Sequence, residues 1–443
     1  MKQLRIKDNS QIRKEEFSDV ASVVRRVADK TLEQLEREGV FVFPQLVDDA
    51  EDITKDQMII QSVNDSYRSE NVMGFIGYGN ERLIIQSRFC SDDNDFFFQY
   101  LLDRVLDYPN IVDLETDTDQ DNRLFNLLLF LFPYYLKTAA RKGVFKMYIR
   151  NEYNDCNING AIDVARHISR NTPFTGAVAY NKREYSYDNY LMELVRHTIE
   201  FIKKKPYGTN LLIKVKDEVK LVIDATPGYE HFDKRKIIAD NKHTTVRHSY
   251  YREYRALQHL CLLILQHQKH QIGSGARKIY GILFDGAWLW EEYINLLIDD
   301  LFYHPMNKGG KGAQRLFAGN TGMIYPDFIS RHCEINTIAD AKYKPIENIG
   351  NKDYLQLLAY MFRFDARKGF YFYPEAGETA ARQLWMNKGS TYEKNVMARE
   401  DICVTKLGLR IPNCTKTYME FVGRMNTYER EFRKVLESNV FKV

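Results

Sequence analysis

The sequence predicts an α/β chain of several domains, α+β in arrangement, whose last third is a mixed sheet flanked by helices. Three observations predict it. At 443 residues, and roughly 100–200 residues per domain, there is room for two or three domains with real cores. A composition of 44% hydrophobic, 28% charged and 13% aromatic residues is globular rather than disordered. Along the chain, stretches of alternating apolar residues are interleaved with stretches of helical periodicity.

In order, residues 15–38 read as one charged helix, with Val20, Val23, Val24, Val27, Leu32 and Leu35 as its apolar positions. VFVFPQLV at 40–47 reads as a strand and the acidic 48–56 as a solvated loop. GFIGYGNERLIIQSRF at 74–89 alternates like a hairpin turning near Gly79-Asn80. Helices are expected over 96–106 and 122–137. From 144, VFKMYIRNEYNDCNINGAIDVARHI reads as two strands around a polar turn. Asp188 is placed to cap a helix whose apolar face is Leu191, Leu194, Val195, Ile199 and Ile202. A strand pair is expected at 209–224 and a helix at 250–267, before a Gly-rich break at 270–278.

Charge is unevenly spread. Residues 1–140 carry a net −10, residues 141–270 a net +9 and residues 271–443 a net +4, within a total of only +3. This excludes a chain that is polybasic throughout and suggests a division of labour. Residues 1–140 are read as an acidic N-terminal domain, 141–275 as a basic connector and 276–443 as the domain that carries chemistry. If a nucleic acid binds, the basic two thirds are the place for it. The longest apolar run, at 124–136, contains Asn126 and Pro133 and is shorter than the roughly 20 residues of a spanning helix. The first residues lack a secretory apolar stretch. Six scattered cysteines without a C-x-x-C pair argue against a zinc ribbon and fit a reducing cytoplasm.

The informative stretch is 281–374. Asp285-Gly286 opens a helix with Trp290, Ile294, Leu297, Ile298 and Leu301 inward and Glu291 beside that face. After the loop MNKGGKGAQR comes MIYPDFIS, a strand ending in Pro-Asp-Phe, which turns back into EINTIADAKYK. Asp340 and Lys342 are two apart on that strand and share a face. A helix that Asp353 could cap carries Gln356 and Tyr360 four apart, and GFYFYP at 369–374 is a buried strand. Phosphodiesters resist attack because their oxygens repel nucleophiles. Two carboxylates, Asp327 and Asp340, can hold Mg²⁺, with Mn²⁺ as a substitute, and the Ala341 carbonyl can complete the shell. Lys342 is then the cation that orients water and offsets charge. Glu291 is a further acidic ligand, through a water, or a base. A lone D-x-K occurs by chance on many surface strands, and an Asp after Pro often serves a turn. Here the preceding helix, the hairpin and the following Gln/Tyr helix give it context.

That order resembles the PD-(D/E)xK nuclease superfamily with a Q-x-x-x-Y helix. More narrowly, the chain resembles the McrC family, the nuclease subunit of McrBC-type and LlaJI-type restriction systems. GAIDVARHISRN at 160–171, REYSYDNYLMELVRHTIE at 183–200, LWEEYI at 289–294 and YPDFIS…IADAKYKP at 325–345 carry the likeness, which spans roughly 70–440. GFIGYG…IIQSRF…DFFFQYLL at 74–102 resembles the longer, LlaJI-like members. The resemblance implies that Asp327, Asp340 and Lys342 are the catalytic triplet, supported by Glu291, Gln356 and Tyr360. It implies an Mg²⁺-dependent DNA endonuclease in phage defence that stimulates a partner AAA+ GTPase hexamer of the McrB type. It also implies double-stranded DNA as substrate and self-pairing of nuclease domains for double-strand cleavage.

The chain has no G-x-x-x-x-G-K-[ST] of its own, so GTP enters only through the partner. Residues 1–140 are the expected docking part. Arg166, His167, Arg170 and Asn171 either reach a partner's nucleotide pocket or bridge secondary elements. Lys203-Lys204-Lys205, Lys234-Arg235-Lys236 and the loop with Lys308, Lys311 and Arg315 are candidate phosphate contacts, each also readable as a solvated face. His243, His248, His267 and His270 do not make a metal set. Two other readings stay open: a non-cleaving GTPase activator or clamp with a vestigial nuclease fold, and a RecB-like repair nuclease.

Overall fold

The computed structural model describes residues 2–38, 40–43, 57–90, 95–106, 120–205, 208–246, 248–270, 279–305, 314–319, 321–331, 336–377, 381–388 and 396–440. Packing groups the chain into two compact units, one made of Met1–Val112 with Gly275–Val443, the other of Asp113–Ser274. This grouping cuts across the sequence division at residue 140. Among the described residues no helix is long and apolar enough to cross a membrane.

In the first unit a five-stranded sheet runs in the order Lys2–Lys7, Glu81–Gln86, Val72–Tyr78, Ile279–Asp285, Val40–Phe43. The hairpin between Val72–Tyr78 and Glu81–Gln86 forms as expected, and Gly79 supplies the positive φ its turn needs. Val20, Val23, Val24, Val27, Leu32 and Leu35 are all buried in the core beside this sheet. They do not lie on one helix. A 3-10 turn over Lys14–Val20, a helix Ala21–Val27 and a helix Leu32–Glu38 replace it. The break falls at Asp29, whose φ is +60°, a conformation no helix accommodates.

A six-stranded mixed sheet follows in the order Phe302–Tyr303, Phe328–Ser330, Thr337–Ala341, Lys368–Glu375, Met397–Arg410, Arg382–Lys388. Its centre, Thr337–Ala341, Lys368–Glu375 and Met397–Arg410, is parallel. Lys368–Glu375 is buried almost throughout, and its side chains alternate between two layers. Tyr371 and Tyr373 pack with Leu357, Tyr360 and Met361 of helix Asn351–Arg363. Phe372 faces the other way, against Phe432 of helix Tyr418–Val440. Helix Gly286–Ile298 docks on that second face, where Trp290 Nε1 donates to the Phe372 carbonyl at 3.0 Å. Burying a side chain of this size contributes about 1.5–3 kcal/mol.

In the second unit, helices Gln120–Ala140, Tyr190–Lys203, Gly208–Ile213, Lys216–Ala225, Lys234–His243 and Arg252–His270 accompany a three-stranded sheet. Two expectations are corrected here, and the two strands expected from 144, Met147–Asp155 and Ala161–Ile162, both form. Residues 209–224 are two helices, because Val215, Val219 and Val222 bury one helical face and Asp217 and Glu218 favour a helix start. Met147–Asp155 pairs with Val178–Ser186 rather than with Ala161–Ile162, which lies on the far side of Val178–Ser186. Asn189, not Asp188, caps Tyr190–Lys203, accepting from the Leu191 and Met192 amides; Asp188 is taken by the Gly228 amide at 2.7 Å.

Candidate active site

The site begins with a hairpin. Strands Phe328–Ser330 and Thr337–Ala341 pair antiparallel, with Phe328 opposite Ala339. Extending that register by one residue sets Asp327 beside Asp340. The expected single strand MIYPDFIS is split. Thr321–Ile324 belongs to a separate hairpin with Gln314–Phe317, and Tyr325-Pro326-Asp327 lies between it and Phe328–Ser330. Proline lacks the N–H that would carry a ladder through this point. Asp327 thus stands at a strand's entry. The Ala341 amide donates to its Oδ2 at 2.8 Å, which fixes the carboxylate against the neighbouring strand.

Asp340 is 3% exposed. Lys342 Nζ forms an ion pair with its Oδ2 at 2.6 Å, but this buried oxygen has no well-aligned hydrogen bond. Lys342 lies one residue beyond the strand, and its own amide still donates to the Phe372 carbonyl at 2.8 Å. Its ammonium also reaches Gln356 Oε1 at 3.5 Å, and Gln356 donates to the Tyr360 hydroxyl at 2.8 Å. The expected face of helix Asn351–Arg363 is therefore turned to the lysine. Gly350, not Asp353, is that helix's N-cap residue; Asp353 sits in the first turn and accepts from the Gly350 amide at 2.9 Å. Asp353 also holds Lys344 at 2.7 Å, leaving Lys342 as the lysine at the carboxylates.

Electrostatics agree with this geometry. Burial, then the charges of Asp340 and Glu291, push the Asp327 carboxyl well above the usual carboxylate range. For Lys342, burial opposes the charge, but Asp340 and Asp327 outweigh it and hold the pKa above the ordinary lysine value.

Glu291 comes from helix Gly286–Ile298, which Asp285 caps by accepting from the Ala287 and Trp288 amides. A residue that sequence reasoning missed joins it to Asp327. His304 lies 3.6 Å from Glu291 Oε1 and 3.8 Å from Glu292 Oε1 through Nε2. Its Nδ1 is 2.7 Å from the Asp327 carbonyl oxygen. Burial works against its charge, but Glu292 and Glu291 prevail and raise its pKa. The only local signal for it is a two-residue strand, Phe302–Tyr303, that pairs with Phe328–Ser330.

Among the described residues no three His, Cys, Asp or Glu side chains are grouped as a metal-holding set. A divalent cation of the Mg²⁺ kind does not need three; one or two carboxylates and several waters suffice. Two facts fit such an ion: the buried Oδ2 of Asp340 without an aligned donor, and the burial and repulsion that raise the Asp327 pKa. Asp327, Asp340 and the Ala341 carbonyl would be the residues to hold such an ion directly.

Comparison with known proteins now bears on the chain. Residues 67–374, more than half of it, match the family described as McrBC 5-methylcytosine restriction system component. The chain belongs to the McrBC family. The match extends through Pro374 and so includes every residue of the carboxylate site. No curated protein matches. Among solved structures, the half-complex from the tetradecameric assembly of Thermococcus gammatolerans McrB AAA+ hexamers with bound McrC is similar in fold. It shares 14% identity at a TM-score of 0.50, over 99% of this chain and 100% of that one. The cryo-EM structure of the Thermococcus gammatolerans McrBC complex shares 13% identity at a TM-score of 0.31, over 67% of this chain and 87% of that one.

The other polar groups of this McrBC-family chain are placed differently. Lys308 and Lys311 lie outside the described residues. Arg315 is on strand Gln314–Phe317, where its carbonyl accepts from Arg363 Nε at 2.6 Å. Lys203 pairs with Glu200, and Lys205 and Lys234 lie over the Phe201 ring. Arg166 bonds the Tyr153 and Tyr180 carbonyls and pairs with Glu152. Asn171, 3% exposed, bonds Asn154 and lies 3.0 Å from His167 Nδ1. These three bridge the short helix Val164–Arg170 to its sheet, while Arg170 is exposed.

Proposed function

We propose that this chain is the DNA-cleaving subunit of an McrBC-type restriction system, with a PD-(D/E)xK nuclease core. The observation that carries the reading is the meeting of Asp327, Asp340 and Lys342 at one edge of a folded hairpin in a chain of the McrBC family. Mg²⁺, when bound, would neutralise phosphate charge and lower the pKa of a coordinated water. Asp327, Asp340 and the Ala341 carbonyl would hold it. Lys342, steadied by Gln356, orients the attacking water and offsets charge on the phosphate. Glu291 takes part through a water, its position set by His304. The partner is a McrB-like AAA+ GTPase hexamer, and GTP acts there. Support comes from the shared fold with a chain of the McrB–McrC half-complex. Cutting both strands of DNA takes two such sites, so nuclease domains pair on the substrate.

The test is co-purification with a McrB-like AAA+ GTPase from the same organism, then cleavage of methylated and unmethylated DNA with GTP and Mg²⁺. Asp340→Ala is expected to abolish cleavage and leave GTPase stimulation intact. Undiminished cleavage by Asp340→Ala would sink the reading. A wild-type chain that stimulates the GTPase and never cuts would favour a clamp instead.

A further inference from the structure

We propose that Tyr343 is a positioning residue for Lys342, tethered from the N-terminal part of the chain by Ser87 and Arg88. The inference rests on the reading of Lys342 above and adds a residue that the triplet does not contain. A lysine stem has four rotatable bonds, so a buried ammonium is aimed only if its backbone is held. Lys342 has left the strand Thr337–Ala341. On its amide side it is held by the Phe372 carbonyl. On the other side the hold is Tyr343.

Tyr343 is 5% exposed. Its hydroxyl bonds Ser87 Oγ at 2.7 Å. The Arg88 guanidinium lies 4.9 Å from its ring centroid, and Phe89 meets the ring edge-on at 5.2 Å. The tether is itself fixed. The Ser87 amide donates to Asp95 Oδ2 at 2.6 Å. Arg88 donates to the fully buried Asp8 through its backbone and its guanidinium, at 2.5 and 2.6 Å, and bonds Asn71 Oδ1.

The same cluster touches the start of the Glu291 helix. The Gly286 amide donates to the Asn71 carbonyl at 3.0 Å, and a Cβ at Gly286 would come within 2.8 Å of the Tyr343 ring. One polar knot therefore sets both the residue after the catalytic lysine and the first turn of the helix carrying Glu291.

The experiment compares Tyr343→Phe, Ser87→Ala and the double variant with wild type, using the full chain with its GTPase partner, Mg²⁺ and DNA. Each single variant is expected to lower kcat about tenfold, since small misplacements of a catalytic group are costly. The DNA KM and the melting temperature are expected to stay near wild type. The double variant is expected to be no slower than either single one, because both remove one interaction. Wild-type kcat in both single variants, or a fall in kcat that follows the loss of folded protein, overturns the proposal. Asp340→Ala keeps the two ideas apart. If it is inactive while Tyr343→Phe is fully active, only the positioning role fails; if it cuts like wild type, the nuclease reading fails.

Discussion

Two buried polar clusters in this molecule invite opposite conclusions. Around Asn171, neutral groups predominate: Asn171 bonds Asn154 and lies against His167, and the carbonyls of Tyr153 and Tyr180 take up Arg166, whose charge Glu152 meets and whose Nε has no hydrogen bond. Around Asp340, two carboxylates stand side by side, one buried oxygen lacks an aligned donor, and a neighbour's pKa is driven upward. A cluster that closes on itself holds a fold together. One in which like charges are crowded is held in place by the surrounding fold, an arrangement common at functional sites. The difference is one of charge: carboxylates crowd one another at Asp327 and Asp340, and no such repulsion acts at Asn171.

The sharpest way to break this contrast is Asp327→Asn. DNA cleavage is expected to fall about a thousandfold or more, because several kcal/mol of charge stabilisation go. In metal-free buffer the same variant is expected to melt higher than wild type, since a buried, repelled carboxylate is gone. A lower melting temperature would mean that the two clusters are alike. Next in size, His304→Ala is expected to slow cleavage about 10–100-fold, the usual range for a residue that orients a ligand, with kinetics as the check. In the other cluster, Asn171→Ala is expected to cost about 1–3 kcal/mol in a denaturant melt, while cleavage per folded molecule is kept.

The smallest effect concerns Glu193. Burial, then the charge of Asp188, raises its pKa to about 7. Its folded value lies above its unfolded one, so its favourable contribution is complete below the ordinary carboxylate pKa. That contribution is lost as pH rises through about 7. Glu193→Gln is therefore expected to match wild type in melts at acidic pH and to gain a few degrees at pH ~8.

Local spacing made much of the site legible. Asp340, on the strand, and Lys342, one residue past its end, are two apart, and Gln356 and Tyr360 are four apart on a helix; both spacings bring the side chains together as expected. His304 was not legible, because a two-residue strand leaves no periodic trace. Residues 209–224 misled because Ile213, Val215, Val219, Leu221 and Ile223 fall at alternate positions while Val215, Val219 and Val222 keep helical spacing. Asp188 and Asn189 are neighbours with equal capping chemistry, and only the distant Gly228 amide decides between them. Strand Ile279–Asp285 reads locally as a strand, yet nothing local says that it lies between Val72–Tyr78 and Val40–Phe43.

That last pairing bears on the order of synthesis. A nascent chain holds an unfilled slot in its first sheet until residues 279–285 have emerged. Helix Gly286–Ile298 waits longer still, since Glu429 near the C-terminus receives both Tyr100 and Tyr293 hydroxyls. A ribosome-bound fragment that stops short of Glu429 thus leaves Tyr100 and Tyr293 without the carboxylate they share, so the helix that carries Glu291 gains its last anchor only late in synthesis.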